Sequence, residues 1–232
     1  METMFFRKSF FKGLSFCREL CVDMLFPKYC INCGKIMPPG KTLCVCDKCA
    51  LAVADMNCIF TDNNSGCDEI VSALKYDGKI REAMLKFKFK DIKYLGYTFG
   101  SLLADAVRGR AFLENAALIT AVPIHVDRDR EYNQSEVIAR CMCSQLGLEY
   151  SSGIIYRVKP IQRLSGMTSD DKEYFIKNSY LFNPLVNLTN KTVVIIDDVY
   201  TTGTTLREIS KEFRKHGAKQ VYALTACYSK IQ

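Results

Sequence analysis

No apolar run among the 232 residues is long enough to cross a bilayer, and the first 26 break their hydrophobicity with Arg7, Lys8, Lys12, Arg18, Glu19 and Asp23. A transmembrane segment is therefore not expected, and neither is a secretory signal. Without such a signal, the twelve cysteines argue for reduced thiols and metal ligation in a cytoplasmic protein, against a disulfide framework. Internal repeats and low-complexity tracts are also missing, so the chain reads as one ordinary domain with a small appendage. Histidine occurs twice, and His125 stands alone in its loop, which is more often a structural position than a catalytic one.

What is present supports a soluble, globular protein. Hydrophobic residues make up 48% of the chain, enough for a core. A net charge of +7 fits a polyphosphate or nucleic-acid ligand and demonstrates neither. Residues 1–26 read as an amphipathic leader helix, with Phe10, Phe11, Leu14, Cys17, Cys21, Met24 and Leu25 expected roughly on one side. That side either packs on the protein's own domain or touches a membrane surface. Pro27 ends it.

Two Cys-x-x-Cys knuckles follow, Cys30-Cys33 and Cys46-Cys49, with a Pro-Pro-Gly turn at 38–40 between them. Four thiolates at this spacing suit a tetrahedral structural zinc, and a segment with so little apolar content needs the metal's folding energy. Cys44 competes for the register, but only Cys46 leaves a two-residue gap before Cys49. Cys58 and Cys67 are isolated and read as plain buried thiols.

From Ile70 the composition changes to long periodic segments, which places a boundary near 60 to 70. A helix around Ile80, Met84 and Phe87 should turn its lysines outward. The interleaved run Lys86-Phe87-Lys88-Phe89-Lys90 is either a solvated helix face or a stripe for single-stranded nucleic acid. A second helix, 94–107, should bury Leu95, Phe99, Leu102, Leu103 and Ala106. A strand over 118–122, a helix over 135–146 and a last strand over 220–228 complete the pattern.

The densest chemistry lies at Val193-Val-Ile-Ile-Asp-Asp-Val-Tyr-Thr-Thr-Gly-Thr-Thr205. Four apolar residues predict a strand buried on both faces, with Asp197 and Asp198 where it leaves the core. Thr201, Thr202, Gly203, Thr204 and Thr205 then precede a helix marked by Leu206, Ile209 and Phe213. Threonine hydroxyls and N–H groups at a helix N-terminus face an anion, and the helix dipole favours it. Vicinal carboxylates accept hydrogen bonds from sugar hydroxyls, so the pair beside the cradle suits a ribose 5-phosphate. The lysine of a Walker loop is missing.

This stretch resembles the phosphoribosyl-pyrophosphate (PRPP) motif of type I phosphoribosyltransferases. The segment Leu25-Phe-Pro-x-x-Cys-x-x-Cys-Gly34 before a later Cys-x-x-Cys and a phosphoribosyltransferase half resembles the ComF family, including the GntX-like proteins, from about residue 25 to the end. The resemblance implies an α/β fold class: a type I phosphoribosyltransferase-like parallel sheet with helices on both faces, plus a small N-terminal zinc ribbon. The expected division is 1–26 leader helix, 27–66 zinc ribbon and 67–232 phosphoribosyltransferase-like domain.

The resemblance also implies that Asp197 and Asp198 hold the ribose hydroxyls of PRPP and that magnesium bridges its pyrophosphate and ribose oxygens. Arg128 and Arg130, in a segment like the family's Arg-x-Arg-Gly-Phe-Asn-Gln, are the pyrophosphate partners it implies, although Glu131 replaces the glycine. A further family motif is altered here, with Lys172 where arginine is usual and Phe175 where asparagine is usual. Two functions follow as expectations. One is phosphoribosyl transfer from PRPP to an acceptor that the sequence does not identify. The other is a non-catalytic accessory role in competence and DNA uptake, with single-stranded DNA or a competence helicase as partner. The oligomeric state is not legible.

Overall fold

The computed structural model describes residues 20–62, 65–90, 92–124, 132–158 and 179–229. Helix α1 (20–25) leads through the cysteine knuckles to α2 (Asp47–Ala54) and β1 (Cys58–Phe60). Then come β2 (Glu69–Lys75), α3 (Gly78–Phe89), α4 (Lys93–Val107), α5 (Ala111–Glu114), β3 (Ala116–Ala121) and α6 (Gln134–Leu146). The antiparallel pair β4 (Ile155–Arg157) and β5 (Tyr180–Phe182), then β6 (Thr192–Tyr200), α7 (Thr204–Lys215) and β7 (Gln220–Tyr228) complete the order.

Five strands pair in the order β1-β2-β7-β6-β3. All neighbours are parallel except β1, which runs antiparallel to β2. The parallel sheet expected from the sequence is therefore mixed at one edge. Its central strands are buried on both faces, as parallel strands with helical crossovers must be. Val193, Val194, Ile195 and Ile196 have no exposed surface at all. Alternate residues serve opposite faces: Val194 and Ile196 pack with α3, α4 and α6, whereas Val193 and Ile195 pack with α7 and the β4–β5 pair.

The cysteine-bearing segment lies on the first of these faces. Its Ile31, Met37, Val45 and Val53 share one hydrophobic cluster with Leu95 and Phe99 of α4. β1 falls within residues 27–66, yet it extends the main sheet by pairing Cys58 with Ser72 and Phe60 with Ile70.

On α4 the buried set is Leu95, Phe99, Leu103, Ala104 and Val107 together with Gly96, Thr98 and Gly100, while Leu102 and Ala106 are only half-buried. The expected apolar stripe is rotated because the glycines face α6. A Cβ on Gly96 would lie 2.6 Å from Val137 Cγ1, and one on Gly100 2.6 Å from Cys141 Cβ. Close approach of α4 and α6 seats the first turn of α6 near the carboxyl ends of the strands. Asn133 caps that turn, accepting from the N–H groups of Ser135 and Glu136 and donating to the Val122 carbonyl at 2.9 Å.

Helix α3 buries Ile80, Met84 and Phe87 as its period requires. Phe87 is fully buried against Phe99, ring centres 6.0 Å apart, so of the two phenylalanines in the Lys/Phe run only Phe89 faces outward. The outward placement expected for the lysines fails at Lys88, which turns into the molecule.

Candidate functional site

β3 ends beside β6, Ala121 opposite Ile196, with the Val122 N–H donating to the Ile196 carbonyl at 2.8 Å. Beyond them opens a cavity of about 300 Å³. Asp197, Asp198, Thr201 and Thr205 line it from the β6–α7 segment, and Lys88, Ser135 and Arg157 from three other elements. Carboxyl ends of parallel strands are where open α/β sheets place ligands.

β6 does not stop at Ile196. It continues to Tyr200, pairing Asp197 with Thr225 and Val199 with Cys227 of β7, so the acidic pair is held in the ladder itself. Asp197 Oδ1 accepts from Ser135 Oγ at 2.9 Å and from the Asp198 N–H at 2.8 Å. Burial, and then the neighbouring Asp198, push the Asp197 carboxyl up to about 7, against the pull of Lys88 and of its two hydrogen bonds. Asp198 Oδ1 accepts from Lys88 Nζ at 2.8 Å. Burial works against the charge on Lys88, but Asp198 and Asp197 outweigh it and hold the ammonium above its usual range.

The cations here answer a definite problem. An anion about 4 Å from an unscreened carboxylate meets roughly 4 kcal/mol of repulsion at an effective dielectric of about 20. Lys88 and Arg157 stand where they offset it. Arg157 projects from β4, its Nη1 donating to the Tyr180 hydroxyl at 3.3 Å.

Of the five cradle residues, Thr201 and Thr205 line the cavity. Thr202 and Thr204 turn their hydroxyls to each other, 3.0 Å apart. Gly203 is buried with φ of 71°, and a Cβ there would lie 2.8 Å from Tyr200 Oη and 2.9 Å from Asp62 Oδ2. Backbone conformation and space both require glycine at this turn, and the space is taken by Tyr200 and Asp62. The first N–H groups of α7 have no intrahelical acceptors, and the positive end of its dipole lies at Thr204 and Thr205.

Sequence reasoning missed Lys88, Ser135 and Arg157. Lys88 and Ser135 reach the carboxylates across 110 and 62 residues of chain, a separation that no local pattern spans. Arg128 and Arg130 lie outside the described residues, as do His125, Glu131, Lys172 and Phe175.

A second constellation lies in the N-terminal segment. The Sγ atoms of Cys30, Cys33, Cys46 and Cys49 all fall within 4.8 Å of one another. A tetrahedral zinc with Zn–S bonds of about 2.3 Å needs sulfurs about 3.8 Å apart, and Cys33 and Cys46 stand at 3.7 Å. The donor set therefore fits such an ion. The knuckle turns with Gly34 N–H on the Cys30 carbonyl, and Cys46 caps α2 while its N–H points at Cys30 Sγ, 3.4 Å away. Burial disfavours the Cys30 thiolate, but the N–H groups of Cys33, Cys46 and Asn32 prevail and bring it down to about 7. Cys44 is excluded from the cluster. It is fully buried, its N–H donating to Thr98 Oγ1 of α4 at 3.2 Å. Cys67 is buried, with Sγ 3.2 Å from Ser210 Oγ, whereas Cys58 is only half-buried on the edge strand β1, where a side chain keeps access to solvent.

Comparison with known proteins bears on both constellations. The family model for the phosphoribosyl transferase domain matches residues 92–232. Competence protein F of Haemophilus influenzae is 29% identical over 160 residues, covering 66% of this chain and 70% of that protein. DNA utilization protein YhgH of Salmonella typhi is 24% identical over 204 residues, 85% of this chain and 83% of its own. Competence protein ComFC of Streptococcus pneumoniae is 22% identical over 226 residues, 83% and 96% respectively. The chain belongs to the phosphoribosyl transferase domain family, as a ComF-type member of it.

Proposed function

We propose that the cavity beyond β3 and β6 binds PRPP, and that the chain transfers its phosphoribosyl group to an acceptor. One observation carries the reading: an acidic pair and two threonines of a single strand-to-helix segment line the same cavity as two cations. Asp197 and Asp198 accept from the ribose hydroxyls, and Thr201, Thr205 and the first N–H groups of α7 take the 5-phosphate. In transfer, the bond from the anomeric carbon to pyrophosphate breaks with its electron pair leaving on the pyrophosphate oxygen. The acceptor's lone pair forms the new bond and its proton is released. Positive charge on the sugar ring in that transition state is stabilised by the two carboxylates. The carboxylate oxygens of Asp197 and Asp198 are hard donors that would hold magnesium, which would supply charge neutralisation to the ligand. Residues 27–66 form a ribbon unit on zinc, and residues 67–232 the phosphoribosyltransferase-like unit. Thiols kept reduced for a metal suit the cytoplasm.

Incubated with PRPP, magnesium and a panel of bases and amines, the protein is expected to release pyrophosphate with at least one acceptor. Release with none, from protein that binds PRPP, would remove transfer and leave binding.

A second reading, handling of single-stranded DNA, rests on the outer face of α3. Phe89 is 68% exposed between exposed Lys86 and Lys90, and residues 75–93 hold seven basic and three acidic residues. Relatives bear names tied to competence and DNA utilization. An aromatic among lysines gives a base somewhere to stack and phosphates something to pair with. If three or four phosphates are neutralised, affinity for an oligonucleotide falls about 20- to 50-fold between 50 and 200 mM salt. Flat or absent binding eliminates this role.

A further inference from the structure

Lys88 differs from the lysines around it. Lys86 and Lys90 are exposed, whereas Lys88 enters the cavity from the last turn of α3 with 25% of its side chain exposed. Its backbone is tied down at the same point, the carbonyl accepting from Gln134 Nε2 at 3.3 Å. An ammonium has three N–H donors. Among the described residues, Asp198 Oδ1 is the one hydrogen-bond acceptor that Lys88 Nζ reaches. Two donors remain, on a residue that lines the cavity.

A counter-ion for the acidic pair alone would need no such position, since an exposed lysine on the adjoining turn would balance the charge with less desolvation. The cation sits instead on the carboxylate assigned to the sugar hydroxyls, within the cavity that must also take a highly charged anion. We infer that Lys88 binds the pyrophosphate group of PRPP with its two remaining donors while its third holds Asp198 toward the sugar hydroxyls. This rests on the PRPP reading above and adds to it a residue that touches the leaving group. Lysine suits the task because its rotatable point charge serves two acceptors in different directions.

The test compares two ligands that differ only in pyrophosphate. Full-length wild type and Lys88→Met are titrated calorimetrically with PRPP and with ribose 5-phosphate, both with magnesium. A charge-assisted contact of this kind is worth about 10- to 150-fold in affinity. Lys88→Met is expected to weaken PRPP about 30-fold or more and ribose 5-phosphate less than about threefold, and Lys88→Arg to recover most of the loss. Lys88→Gln serves as a second neutral variant if the methionine protein does not fold. Equal losses for both ligands would make Lys88 a positioning residue for Asp198 alone and overturn the inference. No loss for either would overturn it too. Wild type binding neither ligand would instead bring down the PRPP site itself, a result separable from the others because it needs no variant.

Discussion

Asp197→Asn combined with Asp198→Asn is expected to abolish PRPP binding in a protein that stays folded. Each carboxylate offers a charge-assisted acceptor to a ribose hydroxyl, worth about 1.5–3 kcal/mol, so the pair accounts for about 3–6 kcal/mol and at least a hundredfold in affinity. The fold should survive because the amide that replaces the Asp197 carboxylate retains a carbonyl oxygen. That oxygen still accepts from Ser135 Oγ and from the neighbouring backbone N–H, the two bonds Asp197 Oδ1 makes at 2.9 and 2.8 Å. Titration calorimetry decides it, and unchanged affinity in the folded double variant would place the ligand elsewhere.

The single change Asp197→Asn carries a stability signature of its own. Burial and Asp198 raise the Asp197 carboxyl from 3.8 to about 7 in the folded protein. Between those values the folded state binds a proton that the unfolded chain has released, so stability falls as pH rises from about 4 to about 7. The ceiling on this cost is about 4 kcal/mol, reduced by whatever water reaches the half-buried carboxyl. Asparagine has no proton to lose. Melting temperatures of variant and wild type should therefore diverge in favour of the variant from pH 5 to pH 8. A constant difference across that range would show that Asp197 is not held in the environment described.

The second large effect concerns the metal. Protein purified without chelator is expected to carry about one zinc per chain, and Cys49→Ser to carry almost none and to melt at least about 10 °C lower. Structural zinc supplies about 10–16 kcal/mol in isolated fingers, and this segment has little to set against its loss. Outside the cysteines its buried side chains are mainly Ile31, Met37, Val45 and Val53, which share one hydrophobic cluster with Leu95 and Phe99 of α4. Losing the metal therefore uncovers the apolar face of α4 as well as loosening the ribbon, and the loss spreads into the sheet domain. Elemental analysis and thermal melts test both parts. A metal-free protein melting like the zinc-loaded one would rule out a structural ion.

Some of this was legible along the chain. Apolar Val193 to Ile196 followed by acids, hydroxyls and a helical period marks a strand, a turn and a helix, because each signal is local and repeats with its element. Four cysteines in two short knuckles pointed to a shared metal for the same reason. Where local pattern misled, packing had intervened. The stripe on α4 is rotated because Gly96 and Gly100 press against α6, and Lys88, expected to face outward with its neighbouring lysines, turns inward onto Asp198.

Sequence alone thus determined the long helices and the strands that end near the site, the acidic pair, the threonine turn and the cysteine knuckles, since residues adjacent in the chain stay adjacent in space. Only the tertiary structure decided that Lys88 lies on Asp198, that Ser135 lies on Asp197 and that Arg157 joins them. These partners come from distant segments, and their choice rests on how helices seat against a twisted sheet and on which charges can be buried together.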